Sequence, residues 1–397
     1  MSRANLLIFG GGDLQVSIIC NAKELGYYVI VIDPNGDAIG KSIADRFIKV
    51  AGNDFEKTLE IVKEYKVKGI VTAATDKPLL MMARIAEAMN FNFPSYRSIE
   101  DSINKALFKN VLISNGFACA KGDTFTRENL PVPDNVDYPV IIKPTNSSGS
   151  RGVVLCETPE DFFRSVDEAF LESKDEILIE EYLEGDEVSV EALVYNKKVR
   201  IIQITDKVIT KPPYNVEIGQ IQPSIYREKY LERIQDYLQK LIEVLELDNC
   251  AIHPEFIITK RGLFLIEMGP RLGGDFITSH LVPLSTGINM EKALIQIATK
   301  EEVKIEDSKS NAAMVQFFNF PEGQVVKKDV DINYFYSKYP KLVLLESRLK
   351  KGDKIRRISN SLNRYGHFIL SSNNRFQLES EAKLIVSDLN DETLVKN

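Results

Sequence analysis

AIHPEFIITKRGLFLIEM, residues 251–268, consists of two apolar runs flanking Lys260-Arg261-Gly262, the pattern of a β-hairpin. With the turn centred on Arg261, Glu255 falls directly opposite Glu267, where Cβ atoms lie roughly 5 Å apart and like charges repel. Ile257, Leu263 and Leu265 are expected on the carboxylate face and Phe256, Ile258, Phe264, Ile266 and Met268 on the other, so both faces are largely apolar. Two carboxylates on such a ribbon call for a shared proton or a cation between them, and a hard divalent ion with oxygen ligands fits best. Edge glutamates exposed at a hairpin mouth are the alternative. His253, two residues before Glu255, either orients a metal ligand or is a satisfied core residue.

Upstream, a strand ends at Lys143-Pro144 and another begins after Gly152. The loop between them, Thr145-Asn146-Ser147-Ser148-Gly149-Ser150-Arg151-Gly152, is too long for simple hairpin closure and too polar for a core. It reads as a flap whose amides and hydroxyls close over an anion, with the Lys143 ammonium placed to neutralise a phosphate. A flexible surface hairpin with a solvated lysine reads equally well from this segment alone.

The first ninety or so residues alternate β-branched runs (5–9, 28–33, 46–50, 69–74) with amphipathic stretches (14–26, 54–66, 77–90), which predicts a parallel sheet flanked by helices. Ligands bind such sheets beyond the carboxyl ends of the strands, making 10–15, 33–35 and 75–77 the candidate contact loops. Two glycine motifs here mislead. Gly10-Gly11-Gly12 lacks the third glycine of a dinucleotide fingerprint, although Asp33 ends the next strand about twenty residues on, where a ribose-binding acid would sit. Gly36-Asp-Ala-Ile-Gly40-Lys41-Ser42 has one residue too few between its glycines for a phosphate-binding P-loop and reads as a turn and helix start.

Residues 98–117 form one or two helices closed by Gly116. Strands are then expected at 138–144, 152–156, 176–183, 188–195 and 198–205, with helices at 159–173 and 228–246 and hairpin-like strands from Asn311 onward. Apolar residues make up 44% and charged residues 27%, an ordinary globular mixture, and a net charge of -7 lacks the basic footprint that nucleic acid demands. Four dispersed cysteines form no zinc or redox motif and read as reduced, mostly buried thiols. The absence of a signal-like start or an apolar run of membrane length places the protein in the cytoplasm, with no membrane partner.

The order PVIIKP with its flap, ILIEEYLEGDEVSVE, HPEFIIT and LIEMGPRLGG resembles the ATP-grasp superfamily of carboxylate-amine ligases over nearly the whole chain. That resemblance implies a mixed α/β and α+β ATP-grasp fold: an N-terminal parallel α/β domain at 1–95, a small lobe with the flap at 96–186, a large lobe with the metal site at 187–308, and a small β-rich domain at 309–397. It implies ATP and Mg2+, with Mn2+ as substitute. Lys105 and Lys143 would contact the phosphates, with Ser147, Ser148, Gly149, Ser150 and Gly152 closing over them. Glu180, Glu181, Tyr182 and Leu183 would form the adenine hinge, Glu187 would meet the ribose, and Glu255 and Glu267 would hold the metal. Arg271 would bind the substrate carboxylate or its acyl-phosphate. A surface acid in a turn (Glu187), an exposed helix residue (Lys105) and a loop-stabilising ion pair (Arg271) are the alternatives. Many members carry Asn where this chain has Gly269, which leans away from biotin carboxylase-like enzymes and toward dipeptide-forming amino-acid ligases. The implied reaction phosphorylates a small-molecule carboxylic acid and couples it to an amine, releasing ADP and phosphate. Bicarbonate phosphorylation, as in carbamoyl-phosphate synthase, a non-catalytic nucleotide-binding protein and a nicotinamide oxidoreductase are the competing readings. A homodimer is an allowed assembly.

Overall fold

The computed structural model describes residues 3–147, 149, 151–173, 175–210, 216–303, 305 and 309–395. Strands β1 (Asn5–Phe9), β2 (Tyr28–Asp33), β3 (Arg46–Lys49) and β4 (Gly69–Val71) alternate with helices α1 (Val16–Glu24), α2 (Phe55–Glu64) and α3 (Leu79–Met89) to form a parallel sheet of order β3-β2-β1-β4. Leu6, Ile8, Val29 and Val31 pack into one layer and Leu7, Phe9, Ile30 and Ile32 into the other. Both faces are therefore covered, as the continuous apolar runs require.

The expected helical stretch after this sheet breaks at Asn104. This residue closes α4 (Tyr96–Ile103) and caps α5 (Lys105–Ser114), its side-chain oxygen accepting from the amides of Ala106 and Leu107. Phe108 and Leu112 of α5 are buried in the core that also holds Leu265 and Met268. That packing fixes the start of α5 beside the hairpin read first in the sequence.

A second, antiparallel sheet has the order β5-β8-β6-β7, from β5 (Gly122–Phe125), β6 (Val140–Pro144), β7 (Val154–Cys156) and β8 (Ile177–Glu181). Helix α6 (Phe162–Glu172) covers it through Phe162, Val166 and Ala169. The third sheet has eight strands in the order β13-β12-β9-β10-β11-β14-β17-β16, all antiparallel. Its members are β9 (Asp186–Tyr195), β10 (Lys198–Ile209), β11 (Glu217–Gln222), β12 (Cys250–Thr259), β13 (Gly262–Gly269), β14 (Ala312–Phe317), β16 (Leu342–Ser347) and β17 (Gly366–Ser372), with a two-stranded ribbon of β15 (Val325–Val326) and β18 (Leu394–Val395) beside it. Helix α7 (Arg227–Val244) backs the β9–β13 half. A π-helical turn (Ile277–Leu281) and α8 (Val282–Thr286) pack against β10, β11 and β14, α9 (Met290–Ala298) lies between that sheet and β4 of the parallel one, and α10 (Ile332–Lys338) and α11 (Arg375–Thr393) cover the C-terminal strands. The sheet runs unbroken from β11 to β14, so a unit boundary near residue 308 divides one continuous sheet.

In the β12–β13 hairpin, Glu255 pairs with Glu267 as expected, but the register slips by one between Glu255 and Phe256. Beyond that bulge the expected faces exchange: Leu263 and Leu265 join Phe256 and Ile258 in the core instead of lying beside Glu255. Phe256 is fully buried and meets Tyr237 edge-on at 5.4 Å. Phe256→Ala is expected to cost about 3–5 kcal/mol, read as a lower denaturation midpoint. The cysteines depart from expectation too. Cys156 and Cys250 are buried, whereas Cys119 is partly buried and Cys20 exposed. Among the described residues, no helix is long and apolar enough to cross a membrane.

Candidate active site

The start of α5 lies where the second and third sheets meet. The Lys105 amide donates to the Thr145 carbonyl at the root of the flap (3.3 Å), and its ammonium meets Glu267 at 2.5 Å. Burial opposes that charge, but Glu267 and Asp76 raise the Lys105 pKa above its ordinary value. A cation in the first turn of a helix is disfavoured by the helix dipole, so its partner there must be an anion.

On the small-sheet side, Lys143 ends β6 and contacts Glu180. Ser147 Oγ is buried and has no hydrogen-bond partner among the described residues. Gly149 (φ +69°) and Gly152 (φ +70°) hold left-handed conformations that the turn of the flap requires. Ser148 and Ser150 lie outside the described residues. The Glu181 amide donates to the Lys121 carbonyl (2.7 Å) and the Tyr182 amide to the Pro139 carbonyl (3.0 Å), while the Glu181 carboxylate accepts from Arg261 at 2.8 Å. Leu183 is buried.

On the large-sheet side the organising residue is Lys207, two residues beyond the expected strand end at Thr205. The strand continues to Ile209. Lys207 is almost fully buried, 2.7 Å from Glu217, 2.8 Å from Glu255 and 3.6 Å from Glu187. Burial opposes its charge, but these three carboxylates raise its pKa well above the ordinary lysine range. Burial likewise disfavours the Glu255 anion, but Lys207 and His253 hold its carboxyl well below the usual range. Glu187 and Glu217 respond mainly to burial and are pushed up, Glu217 to about 7.

His253 bridges two acids, with Nδ1 2.8 Å from Glu191 and Nε2 3.4 Å from Glu255. Burial favours the neutral ring, yet Glu191 and Glu255 carry its pKa up to about 10. Gly273 closes over this pair: a Cβ there would lie 2.6 Å from Glu191 Oε2 and 2.8 Å from His253 Nδ1. Gly273→Ala is expected to destabilise by about 1–3 kcal/mol, measured by chemical denaturation, because neither buried partner has room to retreat.

Arg271 donates through Nε to Asp76 at 2.7 Å and through Nη1 to the Leu272 carbonyl at 3.0 Å. It thereby draws the 75–77 loop of the parallel sheet toward Glu255 and Glu267. Arg271 also explains Gly269, since a Cβ at that position would lie 3.2 Å from Arg271 Cζ. A side chain at 269 would press closely on that arginine stem. The loop continues through Asp275 (φ +48°) and Phe276 (φ +64°), two non-glycine residues in the left-handed region. Arg364 holds Asp275 with two contacts of 2.7 Å, and His367 stacks on Phe276 at 4.2 Å between ring centroids. None of Lys207, Asp275 and Arg364 was singled out by motif. Arg364 is 89 residues from its partner in sequence.

The misleading glycine motifs are used internally. The Gly11 amide donates to Asp33 (2.7 Å) and the Gly12 amide to Gln15 (3.1 Å), so neither faces an open cradle, and the second Asp33 oxygen accepts from the Asn35 amide. Lys41 donates to the Gly36 carbonyl across its own turn.

Among the described residues there is no cluster of three or more His, Cys, Asp or Glu side chains arranged to hold a metal. Glu255 and Glu267 nevertheless form a directly opposed pair of hard oxygen donors, each neutralised by an ammonium, Lys207 and Lys105. That donor set fits a magnesium ion.

Residues 136–279 match the profile of a family described as "ATP-grasp domain", and the chain has an ATP-grasp fold. The large chain of carbamoyl phosphate synthase from Thermotoga neapolitana is 27% identical over 284 residues, covering 69% of this chain and 25% of that protein. This chain therefore spans about a quarter of the length of that relative. The crystal structure of L-amino acid ligase from Bacillus licheniformis superposes with a TM-score of 0.82 at 22% identity, covering 100% of both chains. The biotin carboxylase domain of 2-oxoglutarate carboxylase from Hydrogenobacter thermophilus, in complex with MgADP, ADP and bicarbonate, gives 0.70 at 20% identity over 94% of this chain and 87% of that one. At these identities the structural likenesses establish the fold.

Proposed function

We propose that this protein is an ATP- and magnesium-dependent ligase that converts a carboxylic acid to its acyl-phosphate and transfers the acyl group to an amine. The observation that carries the reading is Lys105, which touches both walls at once, the flap root through its amide and Glu267 through its ammonium. A nucleotide between those walls would lie against Lys143, Lys105 and the flap on one side and the two glutamates on the other. The MgADP in the Hydrogenobacter structure, on the same fold, supports the same assignment of nucleotide and metal here.

Phosphoryl transfer asks for positioning and charge neutralisation more than covalent help from the protein. Lys143 and Lys105 would bind the phosphates, with the buried Ser147 hydroxyl as a further donor. Glu255 and Glu267 would hold magnesium, which supplies charge neutralisation at the phosphates when bound. Arg271, tied to Asp76, offers a planar fork to the acid or its acyl-phosphate. Glu187 would accept from the ribose hydroxyls, and backbone groups at 180–183 would read adenine. With the Glu181 and Tyr182 amides already paired, that reading falls to carbonyl oxygens and the Leu183 amide. Closure of the flap would exclude the water that otherwise hydrolyses the acyl-phosphate.

The test is release of ADP and phosphate from MgATP against a matrix of amino acids and small carboxylic acids. Release that needs both an acid and an amine is the expected result, and AMP with pyrophosphate would refute the mechanism. The carbamoyl phosphate synthase likeness favours bicarbonate as a second reading of the acid, marked by bicarbonate-dependent ADP release without another carboxylate.

A further inference from the structure

Lys109 lies one helical turn beyond Lys105 on the same face of α5, yet it reaches the opposite wall of the site. Its ammonium is 2.7 Å from the Glu180 carboxylate and donates to the Ala120 carbonyl at 2.7 Å. Lys143 contacts the other oxygen of the same carboxylate. The strand register explains the meeting: Ile141 pairs with Glu180, so Lys143, two residues on, projects from the same face of β6 and β8. Lys109, Lys143 and Glu180 are each only 5% exposed.

Two buried ammoniums thus share one carboxylate, and the cluster carries a net single positive charge. Burial opposes the Glu180 anion, but Lys143 and Lys109 together hold its carboxyl below the usual range. An uncompensated buried charge is unfavourable unless an anion meets it. Lys143 stands at the root of the flap, where such an anion would arrive. Without Lys109, Glu180 would pair one-to-one with Lys143 and cancel the charge that faces the flap.

We infer that Lys109 is a positioning residue for nucleotide binding: by sharing Glu180 it keeps Lys143 only half neutralised and aimed at the phosphates. The inference rests on the reading of this cleft as a nucleotide site. It assigns the Glu180 side chain to tuning Lys143, leaving adenine to the backbone of the same strand.

The experiment is a calorimetric titration of the full-length protein with MgADP, using variants that change the charge of the cluster independently of its packing. Lys109→Met makes the cluster neutral, and MgADP affinity is expected to fall by about tenfold or more. Lys109→Met combined with Glu180→Gln restores the single positive charge, and affinity is expected to return to within about threefold of wild type. Lys109→Arg keeps the charge and is expected to bind nearly normally. Melting temperatures recorded alongside identify any variant that fails to fold, in which case the Lys109→Arg and double-variant titrations decide.

Unchanged affinity in Lys109→Met, or a double variant as weak as the single, would overturn the inference, because a purely structural role gives no charge-parity rescue. Binding needs no turnover. A wild-type protein that binds MgADP but releases no phosphate with any acid and amine would refute the ligase reading while leaving this comparison intact. A wild-type protein that does not bind MgADP at all would overturn both.

Discussion

Glu267→Ala is expected to lower acid- and amine-dependent ADP release by about a thousandfold or more, the equivalent of about 4 kcal/mol of transition-state stabilisation. Glu267 is one half of the opposed carboxylate pair, and Glu255 alone offers a divalent ion a single side chain. Its side chain is 39% exposed, so truncation opens no core cavity and the fold should persist. Lys105 loses its ion-pair partner in the same step and becomes free to pair with nucleotide phosphate. MgADP affinity is therefore expected to fall much less than turnover. Initial rates across a magnesium titration check this, and near-wild-type rates at any magnesium concentration would refute the carboxylate assignment.

Arg271→Lys should be nearly as damaging, with a loss of about a hundredfold in kcat/KM for the acid and little change in KM for ATP. A lysine keeps the charge, but it cannot bind Asp76 through Nε while its other nitrogens face a carboxylate or acyl-phosphate. If the defect appeared only in KM for ATP, Arg271 would belong to the nucleotide. A normal rate would reduce it to a tie for the 75–77 loop. Asp76 serves as the internal control. Burial opposes its charge and Arg271 holds its carboxyl below the usual range, so Asp76→Asn should impair the same step less severely.

Much of this site was legible in sequence because its key pair lies on the regular side of a bulge. The opposition of Glu255 and Glu267 survives the slip in register, while the placement of Leu263 and Leu265, which depended on the strand beyond it, does not. The parallel sheet was readable for a related reason: its apolar runs are continuous and its helices carry a helical period. Topology alone marks the 75–77 loop, and its Asp76 meets Arg271.

What escaped was charge hidden inside regular elements. Lys207 sits on a stretch of β10 that reads as polar loop, because Asp206 and Lys207 interrupt the apolar alternation, and only the sheet brings three glutamates to it. Lys109 looks like any solvated helix lysine until the chain returns with Glu180. The pairing of strand β11 with β14 and the Arg364–Asp275 pair join segments far apart in sequence, with no local pattern to announce them.

The guanidinium stem lying over Gly269 has a practical corollary for anyone surveying reaction conditions. Beside that glycine this chain has built in a cation that never leaves and never loses its proton. Its demand for free magnesium should therefore saturate once the nucleotide is complexed, with no second, weaker rise at millimolar excess. An Asn at position 269 would press on the arginine side chain, which would have to give way slightly to admit it.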